Sequence, residues 1–229
     1  MTTSTTPGPA PIEPAVAANT PAGDRLRQLT PAVGLALGAT TIAVLLVLTP
    51  WGERNALGYD DIAPVRDAAW LGMLLDGAAF GVVGVTLGLV ACFLAQGRGR
   101  VAALVGAVLT TVGGILFAMG EFGFATLAWY ATSDAISTES GRALMSYVED
   151  NPAHFYGVTG AGFLAFMIGT LVISAALIRA RAVPVPGVVA FLALTLAQFS
   201  PIPGRALDFV QISLMVLLVG LAGLALRRR

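Results

Sequence analysis

Residues 70–100 read WLGMLLDGAAFGVVGVTLGLVACFLAQGRGR. From Trp70 to Ala95 the stretch carries one charge, Asp76, and it then breaks into Gln96-Gly97-Arg98-Gly99-Arg100. A helix rises about 1.5 Å per residue, so roughly 20 apolar residues cross the hydrocarbon core of a bilayer. This stretch is long enough to cross, and it stops at paired arginines.

The same pattern continues on both sides. Apolar runs cover about 32–50, 70–95, 101–130, 155–178, 184–199 and 207–226. They predict an all-α fold, a polytopic bundle of six transmembrane helices over residues 31–229. The fifth run is short and is bracketed by Pro184 and Pro186 before it and Pro201 and Pro203 after it. Residues 1–30 are rich in Thr, Pro and Ala, which cannot bury enough apolar surface to offset the entropy of ordering, and they read as a disordered tail. The tail lacks the basic start of a secretory signal peptide.

Arginine parity supports the sixfold count. Arg25 with Arg27, Arg98 with Arg100, Arg179 with Arg181, and Arg227–Arg229 flank alternate ends of the runs. Six crossings put all four clusters on one side. By the positive-inside rule that side is cytoplasmic, with both termini inside the plasma membrane. The opposite loops lean acidic, with Glu53, Asp60, Asp61 and Asp67 in one and Asp134, Glu139, Glu149 and Asp150 in the other. Trp51, Trp70, Trp129, Tyr130 and Tyr156 fall at that outer boundary, where amphipathic rings settle.

Composition agrees. Hydrophobic residues make up 56% of the chain and charged ones 11%, less than half of the roughly 25% usual for soluble domains. One cysteine, Cys92, excludes an internal disulfide. One histidine, His154, excludes paired-histidine haem ligation and H-E-x-x-H zinc sites. No cofactor motif is present, no nucleic-acid partner is indicated, and the expectation is that the protein is not an enzyme.

Glycine seams predict tight packing, since helices in lipid associate through close backbone approach. The second run has Gly77, Gly81, Gly84 and Gly88; the third has Gly106, Thr110, Gly113, Gly114, Phe117 and Gly120 on one face. The first has Gly34 and Gly38, and the fourth Gly157, Gly160, Gly162 and Gly169. Such seams serve internal packing or a homo-oligomer. In the loop before the fourth run, Ala143, Leu144, Tyr147 and Val148 recur at helical spacing, and Asn151-Pro152 ends the pattern. This predicts a short helix resting on the lipid interface.

The R-x-R turns Arg98-Gly99-Arg100 and Arg179-Ala180-Arg181, with the proline-bracketed fifth run, resemble the uncharacterised six-helix membrane proteins of high-GC bacteria. The resemblance covers residues 30–229. It implies a six-helix membrane fold and carries over neither an activity nor any site residue.

Three carboxylates fall inside the runs: Asp76, Glu121 and Asp208. A charge at the bilayer centre costs about 2.5–3.5 kcal/mol on insertion scales, so each requires a reason. Asp76 lies about 9 Å in from Trp70, and Glu121 roughly 31 Å from Arg100 on the helical rise, so both belong to the outer half. Gln198, Asp208 and Gln211 lie in that half as well, and Arg205 and His154 sit at outer ends. The expectation is one outward-facing polar pocket lined by Asp76, Glu121, His154, Gln198, Asp208 and Gln211, with Arg205 as counter-charge. It would bind a cation, a lipid headgroup or a small amphiphile. The bland alternative is that Asp76 and Glu121 are protonated or hydrogen-bonded across helices. Three functional classes follow: a binding protein or accessory subunit of an envelope complex, a proton-coupled carrier using Asp76 and Glu121, and an intramembrane enzyme. For the last, Ser133, Ser137 and Ser140 have only His154 as a candidate base.

Overall fold

The computed structural model describes residues 21–51, 58–198 and 205–227. Within them the chain is helical, with no strand. Helix α1 spans Pro21–Leu48, α2 Tyr59–Ile62, α3 Arg66–Leu94, α4 Arg100–Ala131, α5 Thr138–Asp150, α6 Pro152–Arg179, α7 Val185–Ala197 and α8 Arg205–Arg227. Helix α1 starts inside the stretch expected as tail, so residues 21–30 are helical; residues 1–20, Pro201 and Pro203 lie outside the described residues.

Punctuation follows local chemistry. Pro152 begins α6, where its missing N–H is an orphan donor in any helix. Ser137 caps α5 by accepting the Ser140 amide (3.2 Å). Gly97, in the turn between α3 and α4, has φ +67°, the left-handed region that glycine enters at little cost. Arg181 takes the same region at the end of α6 (φ 50°), where the Ala182 amide donates back to the Leu177 carbonyl (2.9 Å).

The long helices close a ring in the order α1, α3, α4, α6, α7, α8 and back to α1. The contacts α3–α4 and α4–α6 are the tightest, and glycine makes them so. A β-carbon on Gly84 would lie 2.5 Å from the Thr110 carbonyl oxygen, and one on Gly106 would lie 3.0 Å from that of Gly169. Gly34 and Gly38 bring α1 onto Thr86 and Val83 of α3 in the same way. Gly157 and Gly160 depart from the expected seam, because nothing packs against either one.

Large apolar side chains cover the outside of the ring. Leu37, Val101, Val108, Met119, Leu164, Phe209 and Val216 are exposed. Five helices are long and apolar enough to cross a membrane; α7 is a shorter apolar helix. An exposed apolar surface of this extent suits lipid and not water. The R-x-R turns meet at one end of the bundle, where Gly99 packs on Ala176 and Ala180. At the other end Gly72 packs on Pro50 and Trp51.

Helix α5 lies at that second end. Its buried residues are Gly141 and Met145, and Gly141 sits against the Ala131 carbonyl and the Tyr59 ring. Ala143, Leu144 and Tyr147, the face read from the sequence, remain exposed. Arg142 reaches back to Asp60, donating from Nε at 3.2 Å, and its guanidinium lies 5.5 Å from the Tyr59 ring centre. The bond and the charge of Asp60 raise the Arg142 pKa above its ordinary value.

Candidate functional site: an aromatic cavity with one carboxylate

The ring of helices is not filled at its centre. A cavity of about 190 Å³ lies there, and all six ring helices contribute to its wall. Phe80 of α3, Phe117 of α4, Phe163 and Phe166 of α6 and Phe191 of α7 supply rings. Phe80 is the hub: its ring centre lies 4.2 Å from that of Phe117 and 4.6 Å from that of Phe166, both tilted. Tilted pairs at such separations are the favoured aromatic geometry.

Polar groups enter the wall from four helices. Asp76 lies one helical turn from Phe80 on α3, Gln198 closes α7, and Gln211 projects from α8. Two threonines add hydroxyls. The Thr170 hydroxyl donates to the Met167 carbonyl (2.7 Å) within its own helix. The Thr195 hydroxyl does not do the same. Thr195 is 1% exposed, and its Oγ1 has no hydrogen-bond partner. A buried hydroxyl left unpaired costs roughly 1–3 kcal/mol, so its place in a cavity wall is informative.

The expected pocket is therefore assembled in part. Asp76, Gln198 and Gln211 share the cavity; Glu121, His154, Arg205 and Asp208 do not line it. Glu121 lies in the α3–α4 seam, where a β-carbon on Gly77 would stand 3.0 Å from its own. Glu121 lies one turn beyond Phe117 on α4, past the end of the cavity, and packs at Gly77. Asp208 is buried (6% exposed) on the inward stripe of α8 one turn before Gln211. Arg205 and His154 are exposed, so the expected counter-charge is absent from the cavity wall. The Ser137 hydroxyl meets Ser140 (2.8 Å), and no hydrogen bond joins His154 to any described serine. Among the described residues no group of His, Cys, Asp and Glu is placed to hold a metal ion.

Reading the sequence missed the phenylalanines and Thr195. The rings are spread over four helices, and only their meeting at one depth marks them. A second cavity, about 360 Å³ and almost wholly apolar, lies between α6, α7 and α8 towards the R-x-R end. Phe191 and Leu218 line both cavities and form their common wall.

Comparison with protein-family models, with curated proteins and with solved structures finds no match.

Proposed function

We propose that this chain is an integral plasma-membrane protein that crosses six times, keeps both termini in the cytoplasm, and binds a small molecule in the cavity at the centre of its helix ring. One observation carries this reading. The bundle packs to backbone contact along α3–α4 and α4–α6, yet it leaves a space about 190 Å³ in volume where Asp76, Gln198 and Gln211 converge. Placing a carboxylate at depth is costly, and intramembrane ionisable groups mark binding and transport sites by default.

A carrier that relays protons between Asp76 and Glu121 is the weaker reading, because Glu121 lies outside the cavity that Asp76 lines. An accessory role in an envelope complex is compatible with binding and adds no residue to it.

Native mass spectrometry of the protein ejected from its own membrane tests the proposal. A bound small molecule is expected, retained in Glu121→Gln and lost in Gln211→Trp, which fills the cavity. Bare protein in the wild type, or an adduct indifferent to Gln211→Trp, would overturn it.

A further inference from the structure

We propose that the apolar cavity between α6, α7 and α8 holds an acyl chain of an anionic membrane phospholipid, with the lipid phosphate at the arginines of the R-x-R end.

The wall suits hydrocarbon. The cavity measures about 360 Å³, and Leu177, Val183, Val188, Phe191, Leu218 and Leu221 are among its lining residues. Its one polar lining side chain, Ser174, is buried, and its hydroxyl already donates to the Thr170 carbonyl (2.8 Å) within α6. The space opens to the outside of the bundle, since Pro184 and Gly220 of its wall are exposed. Nothing lies within 4 Å of a β-carbon on Gly220, and one on Gly187 would meet only Val183, at 3.9 Å. At the α3–α4 and α4–α6 crossings glycine brings backbones together; here two glycines leave a groove. One turn of a helix, about 5.4 Å long and roughly 10–12 Å across, fills on the order of 420–610 Å³, more than this groove holds. A hydrocarbon chain is the slimmer occupant, and the bilayer supplies it.

Charge selects the lipid. The cavity begins beside the arginines: Val183 and Pro184 line it just after Arg181, and Leu224 lines it three residues before Arg227. Arg179, Arg181 and Arg227 are exposed. From Asn151 to Arg229 the only carboxylate side chain is that of Asp208, at the opposite end of α8 from Arg227. Helix α1, which adjoins α8, brings Asp24 to this end together with Arg25 and Arg27, so the excess stays positive. Basic pockets between membrane helices bind anionic headgroups, and an arginine fork grips phosphate oxygens in pairs. A zwitterionic lipid brings a cation with its phosphate and gains less. Phe191 and Leu218 wall this groove off from the central cavity, so the inference stands apart from the binding reading above.

The test is native mass spectrometry of the full chain, stripped of lipid in uncharged detergent and titrated with dioleoyl phosphatidylglycerol or dioleoyl phosphatidylcholine. Wild type is expected to hold phosphatidylglycerol at least about fivefold tighter, the factor that one arginine near the surface confers. The double variant Arg181→Gln, Arg227→Gln should lose that preference. Gly220→Phe has open space for its ring and should remove the tightest binding event by filling the groove. Gly160→Phe, at an equally open glycine outside the groove, should leave that event in place. Equal binding of the two lipids, a preference that survives the double variant, or equal behaviour of the two glycine variants would overturn the assignment. So would a wild-type dimer that carries no lipid and is dissolved by Gly220→Phe, which would give the groove to a second copy of the chain. Should the arginine variant fail to fold, the wild-type preference and the glycine pair decide together, and the absence of either effect sinks the proposal.

Discussion

A β-carbon on Gly113 of α4 would lie 2.6 Å from the carbonyl oxygen of Gly162 on α6, and one on Gly162 would lie 2.9 Å from the carbonyl oxygen of Gly113. The two glycines face each other across the tightest crossing in the bundle. Neither can acquire a side chain unless the helix backbones separate. This crossing also sets the spacing of the cavity, since Phe166 and Phe117 flank it on the same two helices.

Gly113→Ala is therefore expected to cost about 1–3 kcal/mol, the range for overpacking a filled interface, because the new methyl meets backbone and not a movable side chain. Gly160→Ala on α6 is the control. Nothing lies within 4 Å of the position, so the same change should be neutral or stabilise by up to about 1 kcal/mol through helix propensity. Thermal midpoints of the two variants in detergent check both, and similar losses in each would refute the packing account.

Thr49 closes α1 in the left-handed region (φ 42°) and directly precedes Pro50. A side chain in that region costs roughly 1–2 kcal/mol, and a following proline narrows the choice further. Thr49→Gly should raise stability by about 1 kcal/mol without touching the cavity. An unchanged or lowered thermal midpoint would mean that the threonine side chain makes a compensating contact.

The glycine seams of α3 and α4 could be read from the sequence because small residues at helical spacing have few uses in lipid other than backbone contact. Asp76, Gln198 and Gln211 were legible from depth alone. Depth does not fix which neighbour a side chain meets, and Glu121, at a similar level, packs at Gly77 in the α3–α4 seam. The phenylalanines were silent for a different reason: a Phe in an apolar helix is equally at home facing lipid or core. On α5 the apolar residues Leu144 and Tyr147, read as facing the lipid interface, are exposed, and the face the bundle buries, Gly141 and Met145, was not read, because its close contact with the Ala131 carbonyl depends on a glycine.

Phe191 and Leu218 separate the polar cavity from its apolar neighbour. Phe191→Ala should join spaces of about 190 and 360 Å³. The truncation should cost about 3 kcal/mol, the low end for phenylalanine, because the ring is only half-buried. 4-Phenylbutan-1-ol should gain on benzyl alcohol in this variant and not in wild type. A chain-length preference that the substitution leaves unchanged would show that the wall lies elsewhere.

Helix α7 spans only Val185–Ala197, about 20 Å at the helical rise against a hydrocarbon core of roughly 30 Å. Flanking residues that snorkel and a locally thinned bilayer accommodate such a mismatch at modest cost. Its crossing decides whether the R-x-R ends share one side. In a Cys92→Ala background without other cysteines, Arg181→Cys and Arg205→Cys place single exposed thiols at the two ends of the α7 segment. Six crossings predict that an impermeant maleimide applied to intact cells labels Arg205→Cys and Ser137→Cys. Arg181→Cys and Gln96→Cys should label only once the membrane is opened. Equal labelling of Arg181→Cys and Arg205→Cys would mean that α7 does not cross. Gln198 would then reach the cavity from the same side as the arginine turns.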